Sequence, residues 1–329
     1  MRNLITDVPG IKIGHAEDAR LGSGATAVVF DEPAVASIDI RGGGPGTRET
    51  ALLDPAQTVE GIDAITLSGG SAFGLDSASG VQAWLREQGR GFAVRTARVP
   101  IVPAAIMFDL LAGGDKNWGR FPPYRELGYA AAAAAGADFA LGSVGAGTGA
   151  TTANYKGGIG SASAQTPDGH IVGALAVPNA VGRVVIGEGP WFWAAPFERD
   201  REFGGCGSPA KMPADALDLV IKGGPRENTT LVVVATDAIL TKAEAKRLAV
   251  MAQSGLSRAI YPVHTPLDGD VVFAASTGRR PVADALLGLT MLGTIAANVV
   301  ARAIARGVYS ATALPFEGAP PSWKDRFGR

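Results

Sequence analysis

The chain has one cysteine, Cys206, and three histidines, His15, His170 and His264, in 329 residues. A single thiol cannot close an intrachain disulfide, and a reducing compartment suits such a chain. Nor can it build a thiolate zinc site, and no His-Glu-x-x-His pattern occurs. Charged residues are only 19%, with 30 Lys and Arg against 31 Asp and Glu, a net charge of -1. No basic stripe stands out, which argues against nucleic acid as a partner. Long apolar runs are also scarce. The most apolar stretch, residues 285–301, carries Thr290, Thr294 and Asn298 and is followed by Arg302. It sits at the lower length limit for spanning a bilayer and reads as a buried core helix. Residues 1–7 lack the apolar segment of a signal peptide. The expectation is a cytoplasmic chain with no membrane or nucleic-acid partner, no metal and no cofactor.

What is abundant is apolar residues, at 47%, and glycine, at 45 of 329. The first marks a core-rich globular chain. The second is about twice the usual share and is gathered into short runs rather than a linker. Ile11-Lys12-Ile13, Ala25–Phe30 and Ala36–Ile40 read as three strands. Residues 64–85 read as a strand, a glycine turn at Gly69-Gly70 and a helix. Pro103 is placed to open a helix within the apolar stretch 100–111, and residues 126–135 predict an alanine-rich helix ended by Gly136. Residues 171–177 form a strand candidate, and residues 187–226 read as a long surface excursion or a flexible segment before the junction at Asn228-Thr229. A capping box at Thr241 and Glu244 predicts a helix to about Gln253. Residues 271–276 predict a strand and 283–306 a long helix. Strands and helices without strict alternation favour a single α+β domain over residues 1–329 rather than a doubly wound sheet.

Most candidate motifs have a structural explanation. Gly145-Ala146-Gly147-Thr148-Gly149-Ala150 lacks the strand–helix frame and acidic residue of a dinucleotide site. Around Ser71, Phe73 stands where a nucleophile elbow needs glycine, which leaves Ser71 as a turn residue or a pocket wall. None of the histidines has a recognisable catalytic setting. Cys206, among glycines, is a candidate thiol nucleophile by composition alone.

Two features remain. Asn228-Thr229-Thr230 follows a polar, turn-prone prelude, Lys222–Arg226, and opens a β-branched strand. Asp268-Gly269-Asp270 precedes another strand. A threonine hydroxyl needs a base. An N-terminal threonine carries one, because an α-amine has a reference pKa of about 7.7–8.0. Exposing it requires cleavage after Asn228. The hydroxyl would attack the preceding carbonyl, water would hydrolyse the ester, and two carboxylates on a neighbouring strand would orient hydroxyl and ammonium. The alternatives are a plain strand start and an Asp-Gly turn, in a non-catalytic small-molecule-binding or assembly protein whose glycine loops form a pocket.

The chain resembles the L-aminopeptidase/D-esterase (DmpA-type) family of self-processing N-terminal-nucleophile hydrolases. This family includes β-peptidyl aminopeptidases and 6-aminohexanoate-oligomer (nylon oligomer) hydrolases. The resemblance runs over nearly the whole chain. It is carried by residues 10–15, 67–75, 100–103, 156–160 and 177–179, by Asn228-Thr229-Thr230 and by Asp268-Gly269-Asp270. It implies a four-layer αββα sandwich. It also implies self-cleavage into an α-chain of residues 1–228 and a β-chain of residues 229–329, with Thr229 as nucleophile. By the same resemblance Asn179 stabilises the oxyanion, Lys156 matches an active-site lysine, and Asp268 and Asp270 match a carboxylate pair. The aminopeptidase members carry serine at the nucleophile and Ser-Gly-Glu in place of Asp268-Gly269-Asp270, so the pattern here is nearer to the nylon oligomer hydrolases. Characterised members place a tyrosine before an aspartate in the pocket. Here Phe108-Asp109 stands there, so the ring is kept and the phenol donor is lost. Phe108 and Ser71 are the expected substrate-binding residues. The expected substrate is a small peptide or linear amide, and the expected assembly a homo-oligomer, up to a tetramer of αβ units.

Overall fold

Side chains along residues 229–238 alternate between two apolar clusters. Val232 and Val234 enter one, while Leu231, Val233 and Ala235 enter the other. A strand buried on both faces reads as a continuous apolar run instead of an alternating one. Each fully buried Val or Leu contributes roughly 1.5–3 kcal/mol, so this strand is firmly held, and so is the threonine that begins it.

The computed structural model describes residues 1–222 and 228–328. Its strands are β1 (Ile11–Asp18), β2 (Ser23–Ile40), β3 (Gly46–Arg48), β4 (Gly61–Ser68), β5 (Phe92–Val94), β6 (Ala97–Val99), β7 (Ala104–Ile106), β8 (Gly160–Gln165), β9 (Ile171–Asn179), β10 (Thr229–Ala238) and β11 (Val271–Arg280). Its helices are α1 (Ser77–Glu87), α2 (Tyr124–Ala133), α3 (Lys242–Ala252), α4 (Ser254–Ser257), α5 (Ala285–Ser310) and α6 (Trp323–Phe327). Hydrogen bonding runs without interruption in the order β3-β7-β4-β2-β11-β10-β9-β8, with β1 on β2 and β5-β6 as a separate hairpin.

β2 makes two leaves of this path. Its first half pairs with β1 and β4, and its second half, Val35–Ile40, pairs with β11. The leaves face each other across Val28, Phe30, Ile65 and Leu67 on one side and Leu175, Leu231, Val233 and Phe273 on the other. α1 and α2 cover the outside of the first leaf through Ala78, Val81, Leu85 and Ala131. α3 and α5 cover the second through Leu248, Leu292, Val300 and Ile304. The order is helix, sheet, sheet, helix, the expected αββα sandwich. Close approach accounts for part of the glycine excess. A Cβ on Gly160 of β8 would lie 1.8 Å from the Ala303 carbonyl oxygen of α5, so that helix can rest on the sheet only over a bare backbone.

Several local expectations change. The strands read at Ala25–Phe30 and Ala36–Ile40 are halves of one strand, because exposed Asp31, Glu32 and Pro33 pass over the sheet edge without ending it. β1 continues through Gly14 and His15 to Asp18. Pro103 opens no helix: residues 104–106 are β7, paired with β3 and β4. Residues 187–222 are a surface excursion only in their second half, where Met212, Leu217, Leu219 and Ile221 are exposed; in the first half Phe192 and Phe203 are buried against each other and Phe192 stacks on Trp323. The prelude at Lys222–Arg226 lies, Lys222 apart, outside the described residues. The capping box is as read, with Thr241 Oγ1 accepting from Glu244 N at 3.2 Å and Glu244 Oε2 accepting from Thr241 N at 2.8 Å. α5 is long and apolar enough to cross a membrane by length and composition, but most of its apolar length is buried against β8, β9 and α3.

Candidate active site

Three strand ends meet at one edge of the second leaf. Antiparallel register sets Thr229, the first residue of β10, opposite Asn179, the last of β9. Asn228 bridges Asp268 in parallel, just before β11. Residues about 50 and 40 positions away in sequence are thereby gathered around the 228–229 bond. Alternation along β10 puts Thr229 on the same side as Leu231 and Val233, between the leaves.

The carbonyl oxygen of Asn228 accepts two hydrogen bonds. Thr229 Oγ1 donates at 2.5 Å and Gly269 N donates at 2.9 Å. Thr229 and Asn228 are both buried. Among the described residues the Asn228 amide has no hydrogen-bond partner for either of its polar atoms. Gly269 fits this corner because it is bare: a Cβ there would lie 2.7 Å from Thr229 Oγ1.

The carboxylates hold the backbone around this bond. Asp270 Oδ1 accepts from Thr230 N at 2.8 Å. Its Oδ2 accepts from His264 N at 3.1 Å and lies 2.9 Å from His264 Nδ1. Asp268 Oδ1 accepts from Val181 N at 3.1 Å, and its Oδ2 accepts from Thr265 N at 3.2 Å and Thr265 Oγ1 at 2.9 Å. Burial, and then the charge of Asp270, raise the pKa of the Asp268 carboxyl above its ordinary value. The pair therefore ties down the starts of β10 and β11 and the exit of β9, through Thr230, Val181 and the loop at 264–265.

Asn179 joins this cluster to a pocket. Its Oδ1 accepts from Thr151 N at 3.0 Å and from Lys222 Nζ at 2.8 Å, while its Nδ2 donates to the Phe108 carbonyl at 3.1 Å. Phe108, Asp109, Thr151, Lys222 and Glu317 line a cavity of about 330 Å³ beside it. Asp109 is buried and accepts from Ser23 Oγ at 2.6 Å and Gly70 N at 2.7 Å; burial raises its pKa. Lys156 stands one step back. Its main chain bridges Thr151, and its fully buried ammonium donates to Gly147 O at 2.9 Å and Gly157 O at 2.7 Å. Burial pushes its pKa down to about 7; the nearby Asp109 charge opposes this and Lys222 adds to it.

Of the residues expected from the sequence, Asn179, Asn228, Thr229, Asp268 and Asp270 come together, Phe108 borders them, and Lys156 reaches them through Thr151. Ser71 does not line the cavity. It is held in the turn after β4 with φ +52°, its N–H donating to Met107 O at 3.0 Å. Cys206 is half-buried against the α5 core. His15 bonds Thr26 at 2.9 Å, and burial lowers its pKa to about 4. His264, Lys222 and Gly269 were missed in these roles. The spacing His264-x-x-x-Asp268-Gly269-Asp270 was the available signal for the first. Among the described residues no group of three or more His, Cys, Asp or Glu could hold a metal ion.

The family model described as Peptidase family S58 matches residues 3–319. An uncharacterised aminopeptidase of Mycobacterium bovis is 44% identical, covering 99% of this chain and 98% of that one. A 6-aminohexanoate-oligomer endohydrolase of Kocuria sp. is 28% identical over 82% of this chain and 74% of its own length. The solved L-aminopeptidase D-Ala-esterase/amidase of Ochrobactrum anthropi, described as a variant of the Ntn hydrolase fold, superposes with a TM-score of 0.73 at 20% identity, covering 100% of this chain and 95% of that one. The chain belongs to Peptidase family S58 and is a hydrolase of amide and peptide bonds with the Ntn hydrolase fold.

Proposed function

We propose that the chain cleaves itself between Asn228 and Thr229, and that the freed Thr229 is the nucleophile toward linear amides or peptides. One observation carries this reading: the Asn228 carbonyl oxygen takes hydrogen bonds from both Thr229 Oγ1 and Gly269 N, at 2.5 and 2.9 Å. Attack of Oγ1 on the Asn228 carbon puts negative charge on that oxygen, and the Gly269 N–H is already aimed at it. Collapse breaks the C–N bond and gives an ester; water then hydrolyses it, leaving the Asn228 carboxylate and the Thr229 α-amine. That amine is the base for the next attack. In turnover the amide of Asn179, opposite Thr229, stabilises the oxyanion, and the cavity beside Phe108 and Glu317 receives the substrate.

Denaturing mass spectrometry tests the first step. The expected result is two fragments, the smaller beginning at Thr229. A chain that stays at 33.5 kDa after long incubation overturns the reading. Thr229→Ala should abolish both cleavage and turnover. A panel of aminoacyl p-nitroanilides run against 6-aminohexanoate oligomers assigns the substrate class.

A further inference from the structure

His264 precedes the Asp268-Gly269-Asp270 corner and has φ +56°, a left-handed backbone that Asn and Asp tolerate better than most side chains. Its main-chain N–H and its ring Nδ1 both reach Asp270 Oδ2, at 3.1 and 2.9 Å. The other carboxylate oxygen accepts from Thr230 N at 2.8 Å. Asp270 is thus held on one side by His264 and holds, on the other, the residue after Thr229. A carboxylate turns easily about its last bond, where the preference is broad and two-fold. Donors on both oxygens set its plane. His264 also borders a groove of about 340 Å³ shared with Arg41, Arg247 and Gln253.

We propose that His264 is a positioning residue: its Nδ1–H holds Asp270 Oδ2, so that Oδ1 keeps the start of β10, and with it the Thr229 hydroxyl, in place for attack. The inference rests on the reading of Thr229 as nucleophile. Without the ring donor, Oδ2 keeps only the longer 3.1 Å bond from the main-chain N–H of residue 264, so Asp270 is held less firmly, its bond to Thr230 N loosens, and Thr229 shifts against the carbonyl. Misplacement of a reacting group by about 1 Å can cost a hundredfold in rate.

The test uses the full chain and three variants. His264→Asn tolerates the left-handed backbone and keeps a side-chain donor. His264→Asp has the same shape but offers a second carboxylate where the donor was. His264→Gly relaxes the backbone and removes the side chain. The readouts are the rate at which the fragment beginning at Thr229 appears, and kcat and KM for the p-nitroanilide that the parent hydrolyses fastest. His264→Asn should stay within about fivefold of the parent. His264→Asp and His264→Gly should slow both cleavage and kcat about 10- to 100-fold, as loss of one hydrogen bond to a charged acceptor does, with KM moving less than about threefold. Parental rates in His264→Asp and His264→Gly refute the proposal, and so does an equal loss in His264→Asn and His264→Asp. If His264→Gly fails to fold, the Asn and Asp variants still decide. Thr229→Ala separates the two levels. If it still cuts itself, the nucleophile assignment fails. If it is inert while the Asp and Gly variants run at the parental rate, only the role of His264 fails.

Discussion

Lys156 gives the most quantitative prediction. Its ammonium is fully buried, bonded among the described residues only to the Gly147 and Gly157 carbonyls, and its pKa lies near 7 instead of 10.5. The unfolded chain keeps that proton to about pH 10.5, and the folded chain only to about pH 7. Between these values folding releases a proton, so stability rises with pH. At ~1.4 kcal/mol per pH unit, the burden on the fold is roughly 4 kcal/mol at pH 7 and roughly 2 at pH 9, and it vanishes above 10.5. Lys156→Met removes this titration. It also strips two carbonyls of their donor, costing about 1–3 kcal/mol each, independently of pH. The difference at any one pH therefore has no fixed sign, but its change with pH does. Urea unfolding at pH 7 and pH 9, with Thr229→Ala present throughout so that the chain stays in one piece, should show Lys156 gaining about 2 kcal/mol on the Lys156→Met variant. A difference that stays constant within about 0.5 kcal/mol between these pH values would refute the reasoning, because the ammonium would then remain charged inside the protein.

Three further outcomes follow from the same geometry. Gly269→Ala places a methyl 2.7 Å from both Thr229 Oγ1 and Gly44 O; we expect self-cleavage to slow at least about tenfold, timed by denaturing electrophoresis, and an unchanged rate contradicts the part given to this corner. Asn179→Ala should lower kcat by about 10²–10³, the usual loss for one oxyanion donor; Asn179→Asp keeps acceptors for Thr151 N and Lys222 Nζ but should not recover kcat. Gly160→Ala drives a methyl to 1.8 Å from Ala303 O, and forced overpacking of this kind costs about 1–3 kcal/mol or more, read as a lower urea midpoint.

The sequence by itself determined most of the local elements and singled out Thr229 as the candidate nucleophile. The β-branched run from Thr229, the capping box at Thr241 and the apolar stretch that became α5 are local patterns, and local patterns survive without knowledge of neighbours. The chemistry of an N-terminal threonine could also be argued from residue types, with Asn179, Lys156, Asp268 and Asp270 supplied by resemblance. Tertiary structure decided the rest. That residues 25–30 and 36–40 are one strand linking two leaves depends on pairing with β4 and β11, which no local period encodes. That the Asn228 carbonyl meets the Gly269 N–H depends on the parallel register of β10 on β11, where one residue of slip would turn every side chain to the other face. His264 had only its spacing to Asp268-Gly269-Asp270 to announce it, because its partner oxygen is reached through a turn of the backbone. The threonine was readable as a candidate nucleophile from its chemistry; the oxygen it faces, and what holds that oxygen, were set by strand register.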